Sequence, residues 1–296
     1  MALVVLVVIG LGVAAALSGG GGGGDPSAGS GPRARAPAAP ATPRPGRNAS
    51  AVAPSAPPPT VPVPARSGRL TSLPVGSGVR GAEVVRPAGR SGRLPTILFL
   101  HGWGLVARSD YRAWIRHLAR AGNEVIVPRY QLDKHSVPAR AFPDALAGIR
   151  AALRRFPPVP GTLVAAGHSA GGALAADYAA SAASLGLPRP LAVFSVYPGR
   201  RILGYPGGVP EVDPARIGPR TRIVALAGAA DVVVGTLPAQ MLVRDAVRVP
   251  RARRRYLLVR DPAVDDHYGP TRPGPHARRA FWSRLDRLAR LARRPA

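Results

Sequence analysis

The amino-acid sequence predicts an α/β domain in which a mostly parallel sheet is flanked by helices, preceded by an apolar N-terminal segment and a disordered linker. Two observations carry the sheet. Short apolar runs at 96–100, 124–127, 163–166, 191–196, 223–226 and 256–259 have the length of buried strands. Longer amphipathic stretches at 111–121, 145–154, 172–183, 239–247 and 278–293 fall between or after them with helical spacing. Strand and helix alternate, so the crossovers should be right-handed and the functional loops should gather at the strands' carboxyl ends. A third observation, a change of composition near position 80, sets the domain's start.

Before that point the chain divides in two. Residues 2–17 are apolar and uncharged and end in Ala14, Ala15 and Ala16 before Ser18 and a run of glycines. Residues 1–18 therefore read as a signal peptide or membrane anchor, although the positive residues that usually precede such a run are missing. Residues 19–80 are rich in Gly, Pro, Ala and Arg, as in Pro57-Pro58-Pro59, and lack the apolar surface needed to offset ordering entropy. The expected organisation is a 1–18 export or anchoring segment, a 19–80 linker and an 81–296 catalytic domain. It implies a secreted or membrane-anchored protein working outside the cytoplasm.

Of the 296 residues, 46% are hydrophobic, enough for one sizeable α/β domain. There are 41 Lys+Arg against 15 Asp+Glu, and Lys134 is the sole lysine. Such a surface attracts anions in general, an anionic membrane surface included, but no nucleic-acid-binding motif accompanies it and no specific nucleic-acid partner is expected. The absence of Cys excludes a disulfide framework and a thiolate metal site. Asp265-Asp266-His267 is a poor metal site, because adjacent loop residues rarely converge on one ion. Neither a phosphate loop nor a dinucleotide fingerprint is present. No metal and no cofactor are expected.

The chemistry concentrates in Gly167-His168-Ser169-Ala170-Gly171, which follows the run at 163–166 and opens an Ala-rich helix. With 35 Gly in the chain the bare pattern says little, but a serine at a strand-to-helix turn is exposed at the sheet's edge, and small residues two before and two after it let backbones approach. A second motif, His101-Gly102-Trp103-Gly104, follows the run at 96–100. Acyl transfer places negative charge on the substrate's carbonyl oxygen, and two fixed N–H groups must receive it. Ala170 and Trp103 are the candidate backbone donors, with Ser169 the candidate nucleophile. His101 is read as a structural histidine and not a catalytic one.

These two motifs resemble the oxyanion loop and nucleophile elbow of the α/β-hydrolase superfamily, in that superfamily's order, and the resemblance extends over about residues 93–293. It implies esterase, lipase, thioesterase or peptidase chemistry. It also implies the order serine, acid, histidine. His267 and His276 follow Ser169, and the acids to consider are Asp177, Glu211, Asp213, Asp231, Asp245, Asp261, Asp265 and Asp266. Asp177 and Asp245 lie in expected helices, and Glu211 and Asp213 in a Pro-rich loop, where solvated surface charge is the simpler reading. Asp231 ends a strand and a small-residue turn, which resembles the superfamily's place for the acid. His267 lies a few residues beyond the run at 256–259, whereas His276 directly precedes the last helix.

The expectation is a serine hydrolase that cleaves small-molecule or polymeric carboxylic esters through an acyl-enzyme, with Ser169, Asp231 and His267 as its triad. The alternatives are an acyltransferase or peptidase with the same residues, or a non-catalytic surface protein that binds anionic polymers. The Pro- and Gly-rich stretch 198–220 is too short for a large lid. The last helix should pack Phe281, Leu285, Leu288 and Leu291 against the sheet, leaving its arginines outside.

Overall fold

Runs of five residues with no exposed side chain need cover on both faces, and four such strands form the middle of the sheet. They are β3 (Thr96–Leu100), β4 (Glu124–Pro128), β5 (Val164–His168) and β6 (Ala192–Val196). The computed structural model describes residues 68–104, 108–133 and 135–293. The remaining strands are β1 (Leu70–Val75), β2 (Ala82–Pro87), β7 (Arg222–Gly228) and β8 (Arg254–Val259). All eight join one sheet in the order β1-β2-β4-β3-β5-β6-β7-β8. From β4 to β8 every pairing is parallel, and β2 runs antiparallel to both β1 and β4.

Helices α1 (Arg108–Arg120), α2 (Ala141–Arg155), α3 (Ala170–Ser181) and α4 (Leu237–Asp245) connect the strands. The chain closes with α5 (Pro275–Ala277), a π-helical turn over Arg278–Trp282, and α6 (Ser283–Leu291). Tyr111, Trp114, Ile115 and Leu118 of α1 pack with Phe281, Leu285 and Leu288 on one face of the sheet. Residues of α2, α3 and α4 fill the other face. Of the apolar stripe expected on the last helix, Leu291 alone is exposed.

The amino-terminal boundary differs from the expectation. The segment 1–18 and residues 19–67 of the linker lie outside the described residues. The stretch 70–80 is not linker: β1 pairs along its full length with β2, from Leu70 opposite Pro87 to Val75 opposite Ala82. Its composition misleads because it is an edge strand. Pro74 is tolerated there, and most of its side chains remain partly exposed, so the apolar content is low.

Asp177 also departs from its surface reading. It is fully buried in α3, where Arg200 donates to both its oxygens at 2.7 and 2.9 Å and the Val212 amide donates at 3.1 Å. The carboxylate thereby pins the loop after β6 onto the helix. A helix buried on every side shows no amphipathic stripe, so the position of Asp177 within it carried no sign of burial.

Candidate active site

Ser169 sits where β5 ends and α3 begins, with φ 55° and ψ −126°, a backbone conformation that side chains rarely adopt. The surroundings hold it there. Its N–H donates to Val196 O at 3.0 Å, and its carbonyl accepts from Gly172 and Gly199 at 2.9 and 3.2 Å. The small residues of the motif are steric necessities. A Cβ on Gly167 would lie 2.2 Å from Gly171 O, and one on Gly171 would lie 2.2 Å from Leu100 O. The turn thus rests directly on the backbone of β3's end, which leads into the loop from His101 to Gly104.

Two further loops at the same end of the sheet bring the partners. His267 Nε2 is 3.0 Å from Ser169 Oγ, and His267 Nδ1 is 2.9 Å from Asp231 Oδ2. All three residues are buried. The loop carrying Asp231 is stitched to the one carrying His267 by Ala230 N–H donating to Asp265 O at 3.2 Å. The other oxygen of Asp231 accepts from the Val233 and Val234 amides at 2.9 and 3.1 Å. Burial pushes the carboxyl up, but the bonds from His267 and the two amides outweigh it and hold Asp231 below the usual carboxylate range. The carboxylate is therefore ionised at neutral pH, and Nδ1 of His267 carries the proton it accepts.

The other acids and His276 lie elsewhere. His276 bonds both oxygens of Asp261. Asp266 pairs with Arg272, Asp245 with Arg244, Glu211 with Arg200, and Asp213 caps a short turn through the Ala215 amide.

The loop from His101 to Gly104 is braced so that one amide is left over. Gly102 N–H donates to the Tyr111 hydroxyl at 3.0 Å and Gly104 N–H to Gln131 Oε1 at 2.8 Å. Among the described residues, the Trp103 N–H between them has no partner, and Ala170, as the first residue of α3, has none for its N–H within the helix. His101 is buried against the Tyr130 ring, with centroids 4.1 Å apart, and its Nδ1 donates to Gly102 O at 2.9 Å. Burial lowers its pKa to about 4, so it is a neutral brace.

One element of the site had no counterpart in the sequence reading. His168, beside Ser169, is fully buried, and burial together with the charge of His267 lowers its pKa to about 3. Its Nε2 bonds His267 O at 2.9 Å and its Nδ1 bonds the Tyr111 hydroxyl at 2.7 Å. A carbonyl only accepts, so Nε2 carries the proton of this neutral ring and Nδ1 accepts from Tyr111. The chain Gly102 N–H, Tyr111 O–H, His168, His267 C=O links the loop of Trp103 to the backbone of His267. Its position within the motif marks His168, but nothing local marks Tyr111, 57 residues away.

Comparison with known proteins agrees with this architecture. A family model described as the alpha/beta hydrolase fold matches residues 97–215. Solved structures similar to the chain include a hyperthermophilic esterase from the archaeon Pyrobaculum calidifontis, at 19% identity and TM-score 0.56, covering 76% of this chain and 84% of that one. Fungal esterases from Rhizomucor miehei align at 17% identity and TM-score 0.58, covering 76% of this chain and 84% of theirs. A thermostable esterase from Pseudomonas putida aligns at 16% identity and TM-score 0.57, covering 79% and 86%. No curated protein sequence matches the chain. At these identities the likeness is one of fold, and the family match across the motif-bearing strands agrees with it: the chain has the α/β-hydrolase fold.

Proposed function

We propose that the protein hydrolyses carboxylic esters through an acyl-enzyme, with Ser169 as nucleophile, His267 as general base and Asp231 as its orienting partner. The observation that carries this reading is the unbroken line from Ser169 Oγ through both ring nitrogens of His267 to Asp231. His267 Nε2 takes the hydroxyl proton as Oγ attacks the ester carbonyl carbon. The carbonyl oxygen becomes an anion and is received by the amides of Trp103 and Ala170. As the tetrahedral intermediate collapses, His267 returns the proton to the departing alcohol. Water then attacks the acyl-serine by the same route and releases the acid. Asp231 keeps Nδ1 protonated and steadies the positive ring in both halves.

The test is labelling with a fluorophosphonate and hydrolysis of short-chain aryl esters by the purified chain. Both should be lost in Ser169→Ala, and retention of most of the activity there would overturn the assignment.

We further propose that the protein works outside the cytoplasm or tethered to a membrane, which the apolar stretch 2–17 and the composition of the residues after it support. Fractionation should recover the chain outside the cytoplasm or with membranes. Full-length protein, Met1 included, in the soluble cytoplasm would refute this.

A further inference from the structure

The opposite end of the sheet carries a second feature. At the amino ends of β7 and β8, the sheet face that α6 covers is left partly open, forming a cleft of about 370 Å³. The register explains its lining. Val224 stands opposite Arg255 and Leu226 opposite Leu257, so Arg222, Val224, Arg255 and Leu257 share the face turned toward α6. The helix contributes Arg284, Arg287, Leu288 and Leu291. The result is an apolar floor bordered by Arg222, Arg253, Arg255, Arg284 and Arg287, with no carboxylate in the lining.

These arginines are not neutralised within the domain. Among the described residues none of the five has a carboxylate partner. Arg253 donates to Arg220 O at 2.9 Å, and Arg284 to Arg279 O and Ala280 O at 2.6 and 2.7 Å. Burial and then the charges of Arg287 and Arg255 press on the Arg284 guanidinium. A guanidinium does not respond by losing its proton, so the repulsion stays until an anion relieves it. Charge on an edge strand also resists pairing with a second chain, but that role asks for neither an apolar floor nor a second row of arginines from a helix.

We propose that this cleft binds an amphiphilic organic phosphate, its phosphate held by the arginines and its apolar part laid on Val224, Leu257 and Leu288. Phosphate fits better than a carboxylate because it offers more acceptor oxygens and more charge to several planar, bidentate donors. The volume lies within the range of small-molecule sites. The same chemistry belongs to a soluble phosphate ester and to the headgroup region of an anionic lipid. Ser169 lies at the carboxyl end of β5, so this site does not depend on the reading of the active site.

The experiment compares the full chain with Arg255→Gln/Arg284→Gln/Arg287→Gln and with a control, Arg150→Gln/Arg154→Gln/Arg248→Gln, that removes equal charge elsewhere. Thermal unfolding establishes that both variants fold. Calorimetric titration with dihexanoyl phosphatidic acid, and cosedimentation with phosphatidylglycerol or phosphatidylcholine vesicles, separate the two sources. The expected result is saturable binding that weakens by at least about tenfold in the cleft variant and little in the control. A loss confined to dihexanoyl phosphatidic acid assigns a soluble ligand, and one confined to phosphatidylglycerol vesicles assigns a membrane headgroup. Equal losses in both variants would overturn the proposal, because net charge would then account for the anion binding. No difference between either variant and the unaltered chain would overturn it too, because the cleft arginines would then take no part in binding.

Discussion

The ring of His168 donates from Nε2 to the backbone carbonyl of His267 at 2.9 Å, so the residue beside Ser169 holds the chain that bears the imidazole Ser169 faces. Because the Tyr111 hydroxyl completes the path to Gly102, the same ring relates the loop of Trp103 to the position of His267. With its pKa near 3, His168 keeps one proton arrangement throughout the neutral range.

His168→Phe should therefore lower kcat by about tenfold to a hundredfold, as the loss of two buried hydrogen bonds loosens an alignment worth roughly 1.4–2.7 kcal/mol. KM should change little. Tyr111→Phe, which keeps the ring and removes the hydroxyl, should give a smaller effect of the same kind. The rate is to be expressed per site titrated by a fluorophosphonate. A variant whose Tm falls while its rate per titrated site is unchanged would make His168 a packing residue.

Gly228 ends β7 just before the turn to Asp231, and a Cβ there would lie 2.0 Å from Asp265 O. That carbonyl belongs to the loop of His267, and neither backbone has room to yield. Gly228→Ala should lower Tm by about 2–10 °C, the effect of roughly 1–3 kcal/mol of overpacking in a domain of this size. It should also slow fluorophosphonate labelling, since separating the two loops separates Asp231 from His267. Normal labelling with a lowered Tm would mean that the strain dissipates before reaching the site.

Acid sensitivity follows from His101, buried and neutral with a pKa near 4 against an ordinary value of 6.5. As pH falls below 6.5 the unfolded chain takes up this proton and the folded chain does not, so stability is lost from pH 6.5 down to about 4 and levels off below. Each pH unit in that window costs about 1.4 kcal/mol for this group. His101→Phe keeps a ring to stack on Tyr130 and removes the titration. Its unfolding free energy should fall less steeply between pH 6.5 and 4 than that of the unaltered chain, by about one proton. Parallel pH profiles, from denaturant titrations at each pH, would refute this.

Much of this architecture is legible in the sequence because it is built from local signals. The central parallel strands are continuous apolar runs, and Gly167 and Gly171 mark a turn where backbones touch. Strand β1 is hidden because an edge strand needs few apolar residues and tolerates Pro74. The roles of Tyr111 and Asp177 are hidden for a different reason. Each depends on one partner far along the chain, His168 for the first and Arg200 for the second, and no period or spacing encodes such a meeting.

The relation between His267 and Asp231 yields the sharpest test of the proposed mechanism. Asp231 is ionised and accepts from Nδ1, so it selects the tautomer whose bare Nε2 faces Ser169 Oγ. In Asp231→Asn the Val233 and Val234 amides still have an acceptor in the amide oxygen, which leaves the side-chain NH₂ turned to Nδ1. That group donates, so Nδ1 must accept and the proton moves to Nε2, where it blocks withdrawal of the serine proton. The expected loss in kcat is about 10⁴-fold, with small changes in KM and Tm. His267→Ala should lose at least as much. His276 is bonded to Asp261 on the surface, so His276→Ala should leave kcat within about twofold. Inactivation by His276→Ala with a mild His267→Ala would refute the assignment of the base and leave Ser169 to be judged on its own labelling.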